Sequence, residues 1–598
     1  MNLKSKEIAP VSFTNRAVKV IRSYFPILEW GPAYSRQTLV NDLVVALIVS
    51  IMLIPQSLAY AQLAGLPPEV GLYASMAPLI LYAIFGTSRS LSVGPVAVTS
   101  LMTLAAVAPI AAQGTPQYLG AAMALAFLTG LILLVLGFLK LGFLSNFMSF
   151  PVMSGLGTAV GIQIAAGQLT PVLGIPSGGG TFLAQIISLV KNCGQINVYT
   201  AAIGVPAFIF LLLVRKNLAT LLTRAGMGKG LAGILAKMGP VFAIVITILA
   251  VQGFGLDKQG VKIVGAVPAG LPGIALPPFN FALWSQLITP ALLIAIIGYV
   301  ASISVAQTLA AKKRQHVDPD QELIALGAAN IGASLSGGFP VAGGFSRSIV
   351  NFEAGAETPA AGAYTAVGIA LVALFLTPLL YFLPSATLGA TILVAVLSMV
   401  NFKVIVKTFA YSPTDAVAMA MTIILTLTLG VIFGLIAGIG ISLMMYLYRT
   451  SRPHTAIIGQ VPGTQHFRNV DRHEVVTSAR IVSMRIDESL YFPNARFLES
   501  RVNEIVASNP EVKHFILNCS AVNAIDASGL ESLKAINLRL KDGGIAFHLS
   551  EVKGPIMDRL KKTLFAQELK DRIHFTQYDA IYSIDPDLAK KTMDEKRV

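Results

Sequence analysis

A single arginine, Arg347, lies in a run of small and apolar residues where a charged side chain is unexpected. The run covers residues 336–350 and reads SGGFPVAGGFSRSIV. Its glycines and Pro340 would interrupt any helix before Ser346, where a new helix can begin. Free backbone N–H groups, serine hydroxyls and one fixed cation would then face the same point, an arrangement that binds anions at helix N-termini. The alternative interpretation is that Arg347 lies at the edge of an apolar segment and extends its guanidinium toward lipid headgroups.

The composition explains why a charge is rare in this part of the chain. Of the 598 residues, 54% are hydrophobic and 12% are charged, and the mean hydropathy is +0.70. Soluble proteins carry about 25% charged residues, so we predict a polytopic α-helical membrane protein in contact with the lipid bilayer. Residues 1–450 hold 23 Lys and Arg against 11 Asp and Glu. Basic loops on one membrane face explain this excess, so no nucleic-acid partner is expected.

The sequence shows no pattern typical of a catalytic or cofactor site. Cys193 and Cys519 lie in different regions, so they predict neither a disulfide framework nor a metal cluster. His316, His454 and His466 fall in predicted loops. With no metal-ligand cluster, nucleophile elbow or phosphate-binding loop, the chain is predicted not to be an enzyme and to need no metal or cofactor.

Fourteen apolar stretches are candidate membrane spans, several of them shorter than the roughly 20 residues that a full crossing needs. Basic residues concentrate after even-numbered spans, for example Arg215 and Lys216 after the sixth and Lys312 and Lys313 after the eighth. By the positive-inside rule, this pattern predicts an inner or plasma membrane protein with both termini in the cytoplasm. The stretches lie near residues 38–54, 71–86, 95–110, 119–139, 147–169, 197–214, 240–254, 287–310, 322–335, 346–353, 362–383, 387–400, 414–432 and 434–448.

A second broken segment precedes the third span and resembles the one that contains Arg347. Residues 86–100 read GTSRSLSVGPVAVTS, which predicts a short extended piece at 91–93 and a helix with Pro95 as its first residue. Around Arg347 the order is the same, with 339–341 extended and a helix from Phe345 or Ser346. Placed in the third and tenth spans, the two breaks fit a seven-plus-seven inverted repeat whose half-helix N-termini face each other at mid-membrane. Taken alone, the first break is also consistent with an ordinary helix kink.

At these motifs the chain resembles the SulP anion transporter family, the sulfate permeases whose animal relatives include prestin and pendrin. The order and spacing of the matching motifs run through the whole membrane part. The motifs are PQSLAYA from Pro55, GLPP from Gly65, GLY from Gly71, FGTSR from Phe85, GPVAV from Gly94, QELIALG from Gln321, and GFSRS from Gly344 with Asn351.

The resemblance implies a core domain (spans 1–4 and 8–11) that moves, elevator-like, against a gate domain (spans 5–7 and 12–14). It also implies an anion site between the third and tenth half-helices, beside span 1. Amide and hydroxyl groups there can donate hydrogen bonds, and aromatic ring edges can face an anion, although plain helix packing is the alternative for Tyr60 and Phe345. The site residues carried over by motif are Gln56, Tyr60, Pro95, Val96, Phe345, Ser346 and Arg347.

Two positions depart from the family pattern. Many members carry a glutamate where this chain has Gln56, and many carry another in span 8 where this chain has Ala301. Carboxylates within a membrane are natural sites for coupling to H⁺ or Na⁺. The coupling ion or exchange mode is therefore left open by the sequence.

From about residue 451 the composition becomes that of a soluble domain. Strand-like and helix-like segments alternate, and the motif NAIDASGL from Asn523 resembles the STAS domain of family members. Ser528 is a candidate phosphorylation or regulatory site, and the alternative is that Asp526 or Ser528 only caps a helix. The predicted domains are a cytoplasmic N-terminal segment (1–37), the membrane domain (38–450), a linker (451–475), the STAS domain (476–590) and a charged tail (591–598).

The function predicted from these features is secondary transport of small inorganic anions, with sulfate as the first candidate. The alternatives are bicarbonate, chloride or a dicarboxylate on the same fold, or a membrane sensor or scaffold that signals through the STAS domain. The resemblance further implies a homodimer and a possible cytoplasmic regulator that binds the STAS domain.

Overall fold

The computed structural model describes Arg22 and residues 24–147, 149–176, 182–228, 232, 235–236, 238–266, 268–397 and 399–594. Most of the predicted segment 1–37 and the last residues of the predicted tail 591–598 lie outside this part, as does the side chain of Ser346. Within the chain, two compact units divide between Ser442 and Leu443. The predicted domain boundaries stay predictions.

Every predicted span coincides with a helix, and we number these helices α1 to α14. Eight segments that contain helices of this set are long and apolar enough to cross a membrane, while α3, α7, α11 and α13 are shorter apolar helices. The helices are Arg36–Leu63, Pro68–Phe85, Ala97–Val107, Pro116–Phe138, Phe150–Leu173, Val198–Leu213, Gly239–Phe254, Phe281–Lys312, Pro319–Leu335, Phe345–Glu353, Ala360–Phe375, Ser385–Leu397, Pro413–Leu429 and Val431–Ser451.

Two ten-residue helices of the first unit lie outside the predicted spans, as do the shorter Ile27–Trp30 and Ala219–Arg224. Phe182–Lys191 and Phe402–Tyr411 are each ten residues long, carry basic and apolar residues together, and contribute no buried residue. Helices of this kind suit the interface between membrane and water. Sequence inspection missed them because ten residues give too short an apolar stretch for a span.

The two broken spans meet in a small antiparallel pair of strands, β1 (Val93–Gly94) and β2 (Ala342–Gly343). Beyond the pair, the amide of Gly344 donates to the carbonyl of Ser92 at 2.9 Å. This pairing holds the starts of α3 and α10 next to each other, as the inverted repeat predicts. The extended segments predicted at 91–93 and 339–341 lie a few residues further along the chain than expected.

The predicted start of the third helix at Pro95 is wrong. Helix α3 begins at Ala97, and Val96, its N-cap residue, is extended with φ −135° and ψ 152°. The cause is a contact from outside the segment, because the carbonyl of Pro95 accepts a hydrogen bond from the side chain of Arg347. Helix α10 begins at Phe345, as predicted.

Close packing of small residues brings α4 against α9. A side-chain carbon placed on Gly130 would lie 2.8 Å from the carbonyl oxygen of Gly327, and one on Gly327 would lie 3.0 Å from that of Gly130. In lipid, helix association depends on such close backbone contact. These glycines therefore position α9, whose N-terminus anchors the segment before α3, as described below.

The second unit is an α/β domain around one six-stranded sheet with the order β4-β3-β5-β6-β7-β8. Strands β5 to β8 are parallel, while β3 pairs antiparallel with both β4 and β5. The strands predicted by periodicity at 480–485 and 512–517 and the helices predicted at 494–507 and 528–540 are each present within two residues of these bounds. The strands β3–β8 are Thr455–Gln460, Phe467–Asn469, Ile481–Ile486, His514–Asn518, Ala546–Ser550 and Ile573–His574, and the helices α15–α20 are Ala495–Ala507, Ala527–Asp542, Gly554–Leu560, Leu564–Glu568, Gln577–Ile584 and Pro586–Asp594.

Candidate functional site

A cavity of about 420 Å³ lies where α3 and α10 begin; we call it the central cavity. Helices α1, α5, α8 and α12, together with Val404 of the helix Phe402–Tyr411, complete its wall. Arg347 is the only charged residue among the described residues that line it, and no carboxylate does. The lining residues on which the argument rests are Gln56, Tyr60, Val96, Thr99, Ala301, Phe345 and Arg347.

The guanidinium of Arg347 is buried, with 2% of the side chain exposed, and only partly hydrogen-bonded. Its Nη1 donates to the carbonyl of Pro95 at 2.8 Å. Its Nε and Nη2 have no partner within the described part of the chain. An unpaired buried charge is strongly destabilising, and this geometry leaves two N–H donors of a buried cation available for a ligand. The burial also argues against an arginine that extends to lipid headgroups.

Two glycines make the slot in which the guanidinium lies. A side-chain carbon on Gly344 would lie 2.6 Å from Nε of Arg347, and one on Gly94 would lie 3.3 Å from Nη1. The first contact is too close for any residue but glycine unless the arginine moves. The glycines that interrupt the two spans therefore also admit the cation between them.

The structure places five of the seven predicted site residues on the central cavity: Gln56, Tyr60, Val96, Phe345 and Arg347. Pro95 is not among the lining residues and instead holds Arg347 through its carbonyl. The side chain of Ser346 lies outside the described part. Phe345 is 61% exposed, which disfavours the helix-packing alternative for its ring, whereas Tyr60 is 7% exposed and fits both interpretations.

A buried carboxylate, Glu322, fixes the chain just before α3. It lies in the first turn of α9 and is fully buried. It accepts hydrogen bonds from Tyr82 Oη at 2.9 Å, from the amide and hydroxyl of Thr87 at 2.9 and 2.6 Å, and from the amide of Ser88 at 3.2 Å. Four donors satisfy an ionised carboxylate without a cation.

Asp42 has the matching task after α10. It is fully buried near the start of α1. The amide of Glu357 donates to it at 3.0 Å, the hydroxyl of Thr358 at 2.6 Å and Tyr34 Oη at 3.2 Å. The sequence places Glu322 at the first residue of the ninth apolar stretch but singles out neither this acid nor Asp42. The structure shows that both are buried helix residues that anchor the chain beside a half-helix.

In the second unit, the residues of the NAIDASGL motif form the start of α16. Asp526 is the N-cap residue, and its carboxylate accepts the amide of Gly529 at 2.8 Å and that of Phe492 at 2.9 Å. Asp526, not Ser528, therefore caps the helix. Ser528 is exposed in the first turn of α16, where a helix N-terminus stabilises a phosphate. Its phosphorylation or regulatory role stays a prediction.

Three histidines form a hydrogen-bonded row across neighbouring parallel strands. Nδ1 of His514 and Nε2 of His548 are 3.1 Å apart, as are Nδ1 of His548 and Nε2 of His574. Burial, with smaller contributions from the flanking imidazoles, lowers the pKa of His548 to about 3. Burial also lowers the pKa of His514 and His574. The row is therefore neutral near pH 7.

The fold and the central cavity together define a multi-pass membrane protein of the transporter type with a C-terminal α/β domain. The model of the sulfate permease family matches residues 39–422, and the model of the STAS domain matches residues 472–580. The chain belongs to the sulfate permease family.

The similar proteins include bacterial and plant chains that it matches over most of their length. A Mycobacterium tuberculosis (strain H37Rv) protein named as a probable sulfate transporter is 32% identical over 552 residues, which cover 91% of this chain and 95% of the relative. Sulfate transporter 4.1, chloroplastic, of Arabidopsis thaliana is 32% identical over 549 residues, which cover 90% of this chain and 78% of the relative.

Two solved structures show the same fold. The murine solute carrier 26 family member A9 anion transporter in the inward-facing state matches with a TM-score of 0.85 and 23% identity, over 98% of this chain and 97% of that one. The transmembrane domain of the cyanobacterium bicarbonate transporter BicA matches with a TM-score of 0.58 and 22% identity, over 68% of this chain and 98% of that one. The predicted fold class, a fourteen-span inverted repeat followed by a STAS domain, is confirmed.

Proposed function

We propose that this protein transports sulfate, bound in the central cavity between the N-termini of α3 and α10. The observation that carries the proposal is the buried guanidinium of Arg347, two of whose nitrogens lack a partner among the described residues. Helix N-termini add positive potential at the same place, and the described lining carries no carboxylate that would repel an anion. The relatives named as sulfate transporters support sulfate over chloride, bicarbonate or a dicarboxylate.

Binding is proposed to use neutral donors next to the single charge. Gln56 lines the cavity beside Arg347 and can donate its amide N–H. The backbone N–H groups at the starts of the half-helices can do the same. One cation with several neutral donors holds a divalent oxyanion without trapping it, which transport requires. Pro95 belongs to this site as the residue that orients Arg347.

The transport step proposed is movement of a core domain, α1–α4 and α8–α11, against a gate domain, α5–α7 and α12–α14. The support is that α3 and α10 are tied to each other and to the core helices α1 and α9, through β1–β2, Asp42 and Glu322. The half of the cavity wall that carries Arg347 would therefore move as one body. The facing wall comes from α5 and α12.

The proposed coupling does not use a proton bound in the central cavity. Gln56 and Ala301 line it and do not titrate near neutral pH. The buried acids Asp42 and Glu322 are not among the described lining residues, and both already accept several hydrogen bonds. Exchange, facilitated flux or Na⁺-linked uptake fits this site better than H⁺ symport.

The testing experiment is uptake of labelled sulfate by proteoliposomes that hold the purified chain. Labelled bicarbonate is measured in parallel, and each anion is tested with and without imposed H⁺ and Na⁺ gradients. Saturable sulfate uptake that unlabelled sulfate inhibits more strongly than bicarbonate supports the proposal. Bicarbonate uptake without sulfate uptake favours the alternative substrate, and uptake of neither anion favours a sensor or scaffold.

The location, the topology and the oligomeric state of the protein are also proposals. We propose an inner or plasma membrane location with both termini in the cytoplasm, a homodimer, and a STAS domain that binds a cytoplasmic regulator. We also propose that the protein catalyses no reaction. Cross-linking in native membranes, followed by separation by size, tests the dimer, and protease access to the C-terminus in oriented vesicles tests the topology.

A further inference from the structure

A second cavity, larger than the central one, lies in the membrane unit at the opposite ends of the same helices. Its volume is about 720 Å³; we call it the vestibule. Helix α1 contributes Gln56 to the central cavity and Gln62 to the vestibule. Helix α12 contributes Val396 to the former and Ser385 to the latter. The two cavities are therefore arranged along one axis between the same walls.

A thin apolar layer separates the two cavities. On α5 the last described residue of the central cavity is Gly157 and the first of the vestibule is Gln163, a step of about 9 Å at the α-helical rise per residue. Between them lie buried apolar residues of one packed cluster, among them Val160, Leu388 and Ile392. An anion in the vestibule is thus close to the central site but shut off from it.

The polar lining of the vestibule combines one basic side chain with neutral amides and hydroxyls. Lys262 is its only charged residue among the described residues, and no carboxylate lines it. Buried Thr200, which lines the vestibule, has a hydroxyl without a partner within the described chain, and this hydroxyl can donate to an anion. Five glutamines line the cavity: Gln62, Gln113, Gln163, Gln168 and Gln185.

Backbone contacts fix Lys262 to the wall of the vestibule. Its carbonyl accepts the amide of Ser385 at 2.9 Å, and the next residue, Ile263, pairs with Pro384 just before α12. Its ammonium has no ion-pair partner among the residues described here, and the side chain is exposed. A cleft with one sign of charge and apolar walls concentrates counter-ions.

We propose that the vestibule is a second anion site, which holds a sulfate-like oxyanion through Lys262 and the glutamine amides at the ends of the helices opposite the central cavity. The proposal rests on the proposed transport function and adds to it a site of capture. Amide N–H groups replace part of the hydration of the oxyanion, and the single ammonium provides attraction that salt screens. The anion then reaches the central site when the apolar layer opens.

The first test compares Lys262→Gln with Lys258→Gln, a lysine of the same connecting segment that does not line the vestibule. Sulfate uptake is measured in oriented vesicles from each side, at low and high ionic strength. From the vestibule side, Lys262→Gln should raise KM about tenfold at low salt, the lower end of the effect of charged clefts, and leave kcat unchanged. The rise should shrink at high salt, and Lys258→Gln should behave as wild type.

The second test reads occupancy of the vestibule directly. Ser385→Cys is made in a Cys193→Ser chain, where the remaining thiol, Cys519, is buried, and the rate of maleimide labelling is measured. Sulfate should slow labelling relative to potassium gluconate at equal ionic strength. The protection should persist with Arg347→Ala, which removes the central cation, and disappear with Lys262→Gln.

The outcomes separate this inference from the proposed function. If wild type transports sulfate but Lys262→Gln retains both its KM and its protection, the vestibule site is refuted and the central site stands. Protection that disappears with Arg347→Ala would also overturn the inference, because the label would then report the central site. If no preparation transports sulfate, the proposed function fails, and protection without transport would leave the vestibule as a binding site only.

Discussion

Arg347 and Glu322 are both buried charges in the membrane unit, yet their surroundings differ. Glu322 accepts four hydrogen bonds from a tyrosine, a threonine and two backbone amides. Arg347 makes one hydrogen bond, and two of its nitrogens have none within the described chain. A buried charge with all its partners supplied by the protein holds structure together, whereas one with partners missing is prepared for a ligand.

The comparison also explains how the site can be both rigid and available. Glu322 fixes the chain before β1, Asp42 fixes it after α10, and the β1–β2 pair holds the starts of the two half-helices together. Arg347, which lies between the two starts, is left with two nitrogens that have no partner among the described residues. Transport needs this difference between satisfied anchoring groups and a partly unsatisfied arginine. An entering anion can then form hydrogen bonds with donors that are already in place.

The largest effect is expected for Arg347→Ala. Sulfate uptake should fall below detection, because the only charged group of the central cavity is gone, while the thermal midpoint of the purified protein should stay the same or rise, since an unpaired buried charge is removed. Arg347→Lys should restore transport only in part, because an ammonium cannot occupy the planar slot in the same way. A well-folded alanine variant with normal uptake would contradict the assignment of Arg347 to the site.

Glu322 should behave in the opposite way, with stability as the first property lost. Glu322→Ala leaves four neutral donors without an acceptor, and each donor that stays buried and unsatisfied costs about 1–3 kcal/mol, so we expect a total loss of about 3–5 kcal/mol. Glu322→Gln retains one acceptor oxygen and should lose less. Thermal unfolding in detergent measures both, with Glu69→Gln in the first turn of α2 as the control. An unaltered midpoint for the alanine variant would show that the network is not structural.

Sequence patterns predicted the part of this comparison that is local. A lone arginine among glycines, a proline and apolar residues is visible in fifteen residues, and so were the two breaks and the helix start at Phe345. The start of α3 was misplaced because it depends on Arg347, which takes the Pro95 carbonyl from 252 positions away. The role of Glu322 was not visible for the same reason, since its donors lie 234 to 240 positions distant.

The vestibule and the interfacial helices were beyond sequence reasoning for other reasons. Glutamines scattered over α1, α5, the helix Phe182–Lys191 and a loop carry no periodic signal, and only the folded chain gathers them. Ten-residue helices such as Phe182–Lys191 fall below the length by which a span is recognised. Helix positions and the isolated arginine could be predicted from periodicity and charge. Features that depend on contacts between residues distant in sequence could not.

The histidine row of the second unit differs from both buried charges, because its buried titratable groups stay neutral. The pKa of His548 is about 3 in the folded domain and near 6.5 when unfolded. The unfolded chain therefore binds more protons between these values, so stability is complete above about pH 6.5 and falls as the pH drops below it.

The measurement is the thermal midpoint of the unit Leu443–Val598 between pH 7.5 and 5. A loss of 1 kcal/mol should lower it by roughly 2–4 °C in a domain of this size. His548→Phe should flatten the dependence, and His466→Asn, at an exposed loop histidine, should not. A midpoint that rises on acidification would contradict the neutral row.

The smallest effect is expected when an acid is placed beside Arg347. This change also tests the contrast between the two kinds of buried charge most directly. Wild-type uptake should vary little with external pH, because the described residues of the central cavity include no carboxylate or histidine. Gln56→Glu adds a carboxyl group there. When ionised, it would supply from the protein the partner that Arg347 lacks and would repel the incoming anion, so the arginine would come to resemble Glu322, a charge already satisfied. When protonated, it leaves the guanidinium free. Uptake by the variant should therefore be higher at pH 5 than at pH 8, by about tenfold for 1.4 kcal/mol of repulsion, whereas Gln37→Glu, exposed at the start of α1, should match wild type. A wild type driven strongly by an inward proton gradient would mean that another group carries the proton, and Asp42 and Glu322 would then be the first to replace.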